Sequence, residues 1–150
     1  MITDIDLQLA TAISPTTVGT TNPPVYLDTL INSDWGMGSD WIWYVDVATA
    51  FSTASSPTLQ LQLQGNPADA TFTSGNVTIL DTGVVAAATL VKGYEFKLKY
   101  PRGYLARYLR VNIIVGTANF STGTFSSWLH IDAVQDVFPN NIFAAGYTVK

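Results

Sequence analysis

Hydrophobic and polar residues alternate along most of this chain with a period of two, the signature of strands with one face buried. The longest such stretch runs from Arg107 to Val134. Its first arm sets Leu109, Val111, Ile113 and Val115 against Arg110, Asn112 and Ile114. Its second sets Phe125, Ser127, Leu129, Ile131 and Ala133 against Ser126, Trp128, His130, Asp132 and Val134. A loop rich in Gly, Ser and Thr joins them, so the pattern predicts a central antiparallel pair onto which the upstream chain packs.

Upstream, Asp6 to Ile13 predicts a first strand, and the segment SPTTVGTTNPP after it a loop. Val25 to Leu27 predicts a short strand leading into an irregular excursion, TLINSDWGMGSD. Trp41 to Thr49 predicts a strong strand, with Trp41, Trp43, Val45 and Val47 on one face and Ile42, Tyr44, Asp46 and Ala48 on the other. LQLQLQ, Leu59 to Gln64, alternates strictly, as in a sheet with one wet face. Val77 to Asp81 is a further strand. The alanines after it permit one helical turn, but no cap or sustained period supports a longer helix. Tyr94 to Lys99 alternates again, placing Lys97 and Lys99 on the wet face opposite Phe96 and Leu98.

Seven or eight strands with long connections predict an all-β, antiparallel, jelly-roll-like sandwich. The chain of 150 residues fits a single domain, residues 1–136, with extended terminal segments and a C-terminal tail or arm, residues 137–150. In that tail Phe143 and Tyr147 either fold back on the domain or anchor on a neighbouring subunit.

Composition narrows the function. No apolar run approaches the ~20 residues of a membrane span, and no signal peptide is visible at Met1 to Ala10. Cysteine is absent, which removes disulfides and thiolate chemistry. A net charge of −4 argues against a nucleic-acid partner. Yet six of the seven basic residues fall between Lys92 and Arg110, offset there only by Glu95. With 12% of residues charged and 47% hydrophobic, such a strip fits docking on an acidic partner.

Chemistry is scarce. His130 is the one histidine, and Asp132 lies two positions along the same strand face, so a pair is conceivable. No serine sits in a G-x-S-x-G elbow, and Glu95 is the one glutamate. The chain is therefore read as a non-enzyme without cofactor. Asp4 with Asp6, and Asp34 with Asp40, offer hard oxygen ligands but no complete calcium loop. Trp35, Trp41 and Trp43 read either as core or as a sugar-stacking platform, and the second option makes a carbohydrate-binding module the alternative function.

WIWYVDVATAF, LQLQLQ, the Gly93-Tyr94 pair and RYLRVNIIVG followed by a Gly/Thr loop and a last strand together resemble the capsid cement proteins of tailed bacteriophages, of the Bordetella-phage type. The resemblance covers about Trp41 to Ala133, and RYLR with its alternating aliphatics is the most specific part. It implies a structural virion protein, made in the host bacterial cytoplasm, that decorates the outer surface of a capsid. There it would bridge adjacent copies of the major capsid protein as a homo-oligomer, dimer or trimer. A head-completion or tail protein is the nearest variant. Lys97, Lys99, Arg102, Arg107 and Arg110 would then be capsid-facing or intersubunit charges, with Phe143 and Tyr147 as arm anchors.

Overall fold

The computed structural model describes residues 7–21, 26–34, 41–52 and 55–131. They form ten strands: β1 (Gln8–Ile13), β2 (Gly19–Thr21), β3 (Leu27–Asp34), β4 (Trp41–Ser52), β5 (Thr58–Asn66), β6 (Val77–Asp81), β7 (Val85–Ala86), β8 (Glu95–Lys99), β9 (Leu105–Gly116) and β10 (Thr122–Ile131). The alanine run supplies one 3-10 turn, Ala87–Thr89, and no α-helix occurs among the described residues.

Every pairing is antiparallel. One sheet, sheet A, has the order β1-β10-β4-β8. In the other, sheet B, β9 and β5 are central, β2 and β3 share the outer side of β9, and β6 and β7 share the outer side of β5. Counting each shared edge as one strand, the chain pairs first with last, second with seventh, third with sixth and fourth with fifth. That nesting, a folded ribbon wrapped into two facing sheets, is the jelly roll.

The core lies between the sheets. Leu59, Leu61 and Leu63 of β5 and Leu109, Val111, Ile113 and Val115 of β9 face Trp43, Val45 and Val47 of β4 and Phe125 and Leu129 of β10. Trp43 is fully buried, and its Nε1 donates to Ser127 Oγ at 2.7 Å. Burial alternates as the sequence predicts along β5 to Gly65; in β4 and β9 the expected inward residues Trp43, Val45, Val47, Leu109, Val111, Ile113 and Val115 are buried, but Tyr44 and Asn112 on the opposite faces are buried as well, covered by neighbouring side chains.

Three expectations are corrected. β9 and β10 are each central in a sheet, but in different sheets, so they are not a hairpin pair. The link between them is an arch across the core, in which Phe120 is buried against Phe51 (centroids 4.8 Å apart) and its N–H donates to Thr16 O. The polar segment after β1 contains the edge strand β2, which pairs with Val115 to Ile113.

Of the excursion expected over 29–40, residues 29–34 belong to strand β3, paired with β9 at Asp28↔Tyr108 and again at Ser33↔Ala106, and 35–40 lie outside the described residues. Five steps on β3 match two on β9, so residues 29–32 bulge outward and break the alternation. Thr29 Oγ1 donates to Arg107 O at 2.8 Å, and Asp28 Oδ1 accepts from Leu30 N–H at 2.8 Å, which brackets the bulge. Leu30 at its tip has φ +66 and is 76% exposed.

Candidate docking surfaces

The outward faces of the two sheets differ in kind. On sheet A the register aligns Trp128, Tyr44 and Lys97 in one row, and His130, Ile42 and Lys99 in the next. Tyr44 lies at the centre. Its ring packs edge-on to Trp128 at 5.2 Å and to His130 at 5.9 Å, and Lys97 Nζ sits 5.5 Å from its centroid. Its hydroxyl donates to Glu95 Oε1, while Glu95 Oε2 pairs with Lys97 Nζ at 2.7 Å. Burial, and then Glu95, push the Tyr44 phenol well above its ordinary value. Lys97 and then Tyr44 hold the Glu95 carboxyl below the usual carboxylate value. The result is a cluster of half-buried aromatic rings packed edge-on around a buried Tyr44, with Lys97 and Lys99 along the edge strand.

On sheet B the outward positions bond mainly to each other. Gln60 and Gln62 both donate to Asp81, and Gln62 Oε1 accepts from Asn112 Nδ2 at 2.9 Å. Gln64 Oε1 accepts from Arg110 Nε and Nη2 at 3.0 and 2.9 Å. The β5–β6 loop folds over this end. Its Phe72 ring lies 4.3 Å from the Arg110 guanidinium carbon, and burial lowers the pKa of Arg110 from its ordinary value. Asn66, 1% exposed, pins the loop by donating to Ser74 O and Asn76 Oδ1 and accepting from Ala68 and Asp69 N–H. Asp69 then accepts from Thr71, Thr73 and Ser74, and the Thr71 and Thr73 hydroxyls lead in drawing its pKa far down.

The basic residues adjacent in sequence are therefore not one strip. Lys97 and Lys99 lie on the outward face of sheet A, as alternation predicts. Arg107 and Arg110 belong to sheet B, and Arg102 to the exposed turn between the sheets. Arg107 is engaged: Nε and Nη2 donate to the Asp28 carboxylate at 2.9 and 3.1 Å, and the guanidinium covers the Tyr108 ring at 4.8 Å. The cause of the split is the crossing after β8, which carries the chain from sheet A to sheet B.

Tyr44 and Trp128 were not among the residues the sequence singled out as a surface. The available signal was phase, since both alternate with core residues and so must face outward despite their size. Trp43 is core and Trp41 packs against the core, which leaves neither as an open sugar platform. Trp35, Asp4, Asp6, Asp40, Asp132, Phe143 and Tyr147 lie outside the described residues. Asp34 Oδ2 accepts from Gly103 N–H at 2.7 Å. Among the described residues no group of three or more His, Asp or Glu side chains is placed to hold a metal ion.

Comparison with curated proteins finds no match. The Bbp16 family model matches residues 7–129, a span that begins just before β1 and ends within β10. It takes in both sheets and nearly all of the nested strand plan, and on that match the chain belongs to the Bbp16 family.

Proposed function

We propose that this protein is a non-enzymatic structural component of a phage particle, a cement protein that sits on the outer surface of the capsid and bridges adjacent capsid subunits. The observation that carries the reading is the family match, because the name Bbp16 suggests a Bordetella phage protein. The difference between the two sheet faces is consistent with it, and in this reading sheet A is the docking side. The outward face of sheet B is mainly polar and bonded within itself, whereas that of sheet A carries the half-buried Trp128 and His130 packed around Tyr44, with the exposed Lys97 and Lys99 along its edge strand. Aromatic anchors surrounded by charge are what a protein partner with an acidic surface would engage. Many such contacts, repeated by symmetry over a shell, hold far more firmly than one. Lys97, Lys99 and Arg102 act in this reading as capsid-facing charges. Arg107 and Arg110 position β3 and the β5–β6 loop at the same rim, and Phe143 and Tyr147 anchor the tail on a neighbour.

Quantitative mass spectrometry of purified particles tests the role. A copy number comparable to the major capsid protein is expected; a handful of copies would indicate a tail or portal component, and absence would reject a virion role. Trp128→Ala tests the face, with shell occupancy expected to fall by at least ~10-fold at limiting protein, the loss typical of one aromatic anchor. Undiminished occupancy would move the docking surface elsewhere.

A further inference from the structure

Five of the nine large apolar residues that stand exposed among the described residues gather in one place. Tyr26, Leu30 and Ile31 lie on or just before β3, and Tyr104 and Leu105 lie where the chain enters β9. Asp34 pairs with Leu105, and the β3 bulge opens beside Arg107, so these residues share the outer end of sheet B. Leu30 is 76% exposed and Ile31 66%. Leu30 also holds a φ of +66, which a leucine rarely adopts. The Asp28 carboxylate fixes that shape by accepting from Leu30 N–H and from Arg107. Strained backbone that presents aliphatic side chains to water in a fixed arrangement marks a surface that something covers.

The exit of β10 lies near this patch. Ile131 pairs with Trp41, Trp41 O accepts from Tyr100 N–H at 2.7 Å, Gly103 N–H donates to Asp34 Oδ2 at 2.7 Å, and Asp34 pairs with Leu105. Two strand spacings of ~4.8 Å and one crossing of ~10 Å between the sheets thus lead from Ile131 to Leu105. The seven residues from Asp132 to Phe138 span ~23 Å when extended, enough for that path. Phe138 is the first aromatic residue after β10, and Val137 precedes it. A segment tethered so closely acts at an effective concentration in the millimolar range, well above a second copy at micromolar concentration.

We infer that Leu30, Ile31 and Leu105 form the seat for the chain's own segment 137–140, with Phe138 against Leu105 and the segment running on toward Ile31. The contact is made within one chain and does not rest on the proposed function. It fixes the point beyond which Phe143 and Tyr147 extend.

The chain lacks cysteine, so introduced pairs report the contact without background. In the full chain, Ile31→Cys with Asn140→Cys should form a disulfide under mild oxidation, within single chains on a denaturing gel. Val77→Cys with Asn140→Cys, which places the first thiol on the opposite edge of sheet B, should crosslink at least ~10-fold less. In the Ile31→Cys protein, adding Phe138→Asp should speed alkylation of the thiol by at least ~10-fold, because docking loses one buried phenyl ring. A crosslink between two chains would give the patch to a second copy and overturn the inference. So would equal crosslinking at Val77, no crosslink at Ile31, or an alkylation rate indifferent to Phe138→Asp. All of these are read on the free protein, so such a failure leaves copy number in particles, and with it the proposed function, untouched.

Discussion

Gly123 has φ +133, and a Cβ built on it would lie 2.2 Å from the Phe51 ring. The same ring packs edge-on against the buried Phe120. Gly123→Ala thus combines backbone strain with a clash in a packed corner and should cost roughly 3 kcal/mol, read as the shift in urea unfolding midpoint. Asn66 is a second fixed point, since all its polar capacity is used inside the β5–β6 loop. Asn66→Ala leaves several loop groups without partners and should cost about 2 kcal/mol, with Phe72 released from Arg110 and exchange accelerated throughout 67–76. If only the global stability fell and the loop amides kept their relative protection, the pinning role would be wrong. Neither residue announces its role in the sequence. A glycine after Thr122 and an asparagine before Pro67 are ordinary turn residues until their three-dimensional neighbours are known.

At the scale of elements, legibility followed periodicity. β4, β5, β8, β9 and β10 were readable because each alternates over five residues or more, and the phase of alternation also placed Lys97 and Lys99 correctly. Partnering was not readable. The arms of β9 and β10 look like a hairpin because both are long and amphipathic, yet period two says which face is inward and nothing about which strand lies beside it. A clue was present in Phe120, a large apolar residue in a Gly/Ser/Thr loop, which fits an arch over the core better than an exposed turn. β3 was missed because its bulge breaks the period, and β2 because three residues carry almost none. The bulge depends on Asp28, which binds both Arg107 and the Leu30 N–H. Asp28→Ala should speed exchange across residues 28–34 and leave β5 and β10 protection unchanged. Equal acceleration in all strands would mean that the bracket is not local.

For the whole molecule, charge and topology set the response to conditions. Asp28, Asp69, Asp81 and Glu95 all have folded-state pKa values below their ordinary ones. The leading favourable partners are Arg107, the Thr71 hydroxyl and Lys97 for Asp28, Asp69 and Glu95; for Asp81 burial opposes, and Gln62, Gly83 and Gln60 prevail. A depressed carboxyl contributes stability that is present above its unfolded value, about 4, and is lost as pH falls through the lower folded value. The melting temperature should therefore be flat near neutrality and fall below about pH 4, with Asp69→Asn showing a shallower acid decline. An unchanged acid decline in that variant would remove Asp69 from the account.

The nested strand order also has a consequence in time. β1 pairs with β10, Gln8 opposite Trp128, so the first strand has no place in sheet A until the last one has been made. β10 separates β1 from β4 in that sheet, and β4 cannot take over the vacancy without moving the core it carries. A ribosome-bound chain that has emerged only as far as β9 must wait with an open side. Closure then depends on pairing residues more than a hundred positions apart, a search that places such all-β domains in the millisecond-to-second range. Stop codons anywhere before β10 would accordingly yield aggregation-prone chains rather than smaller versions of the same domain.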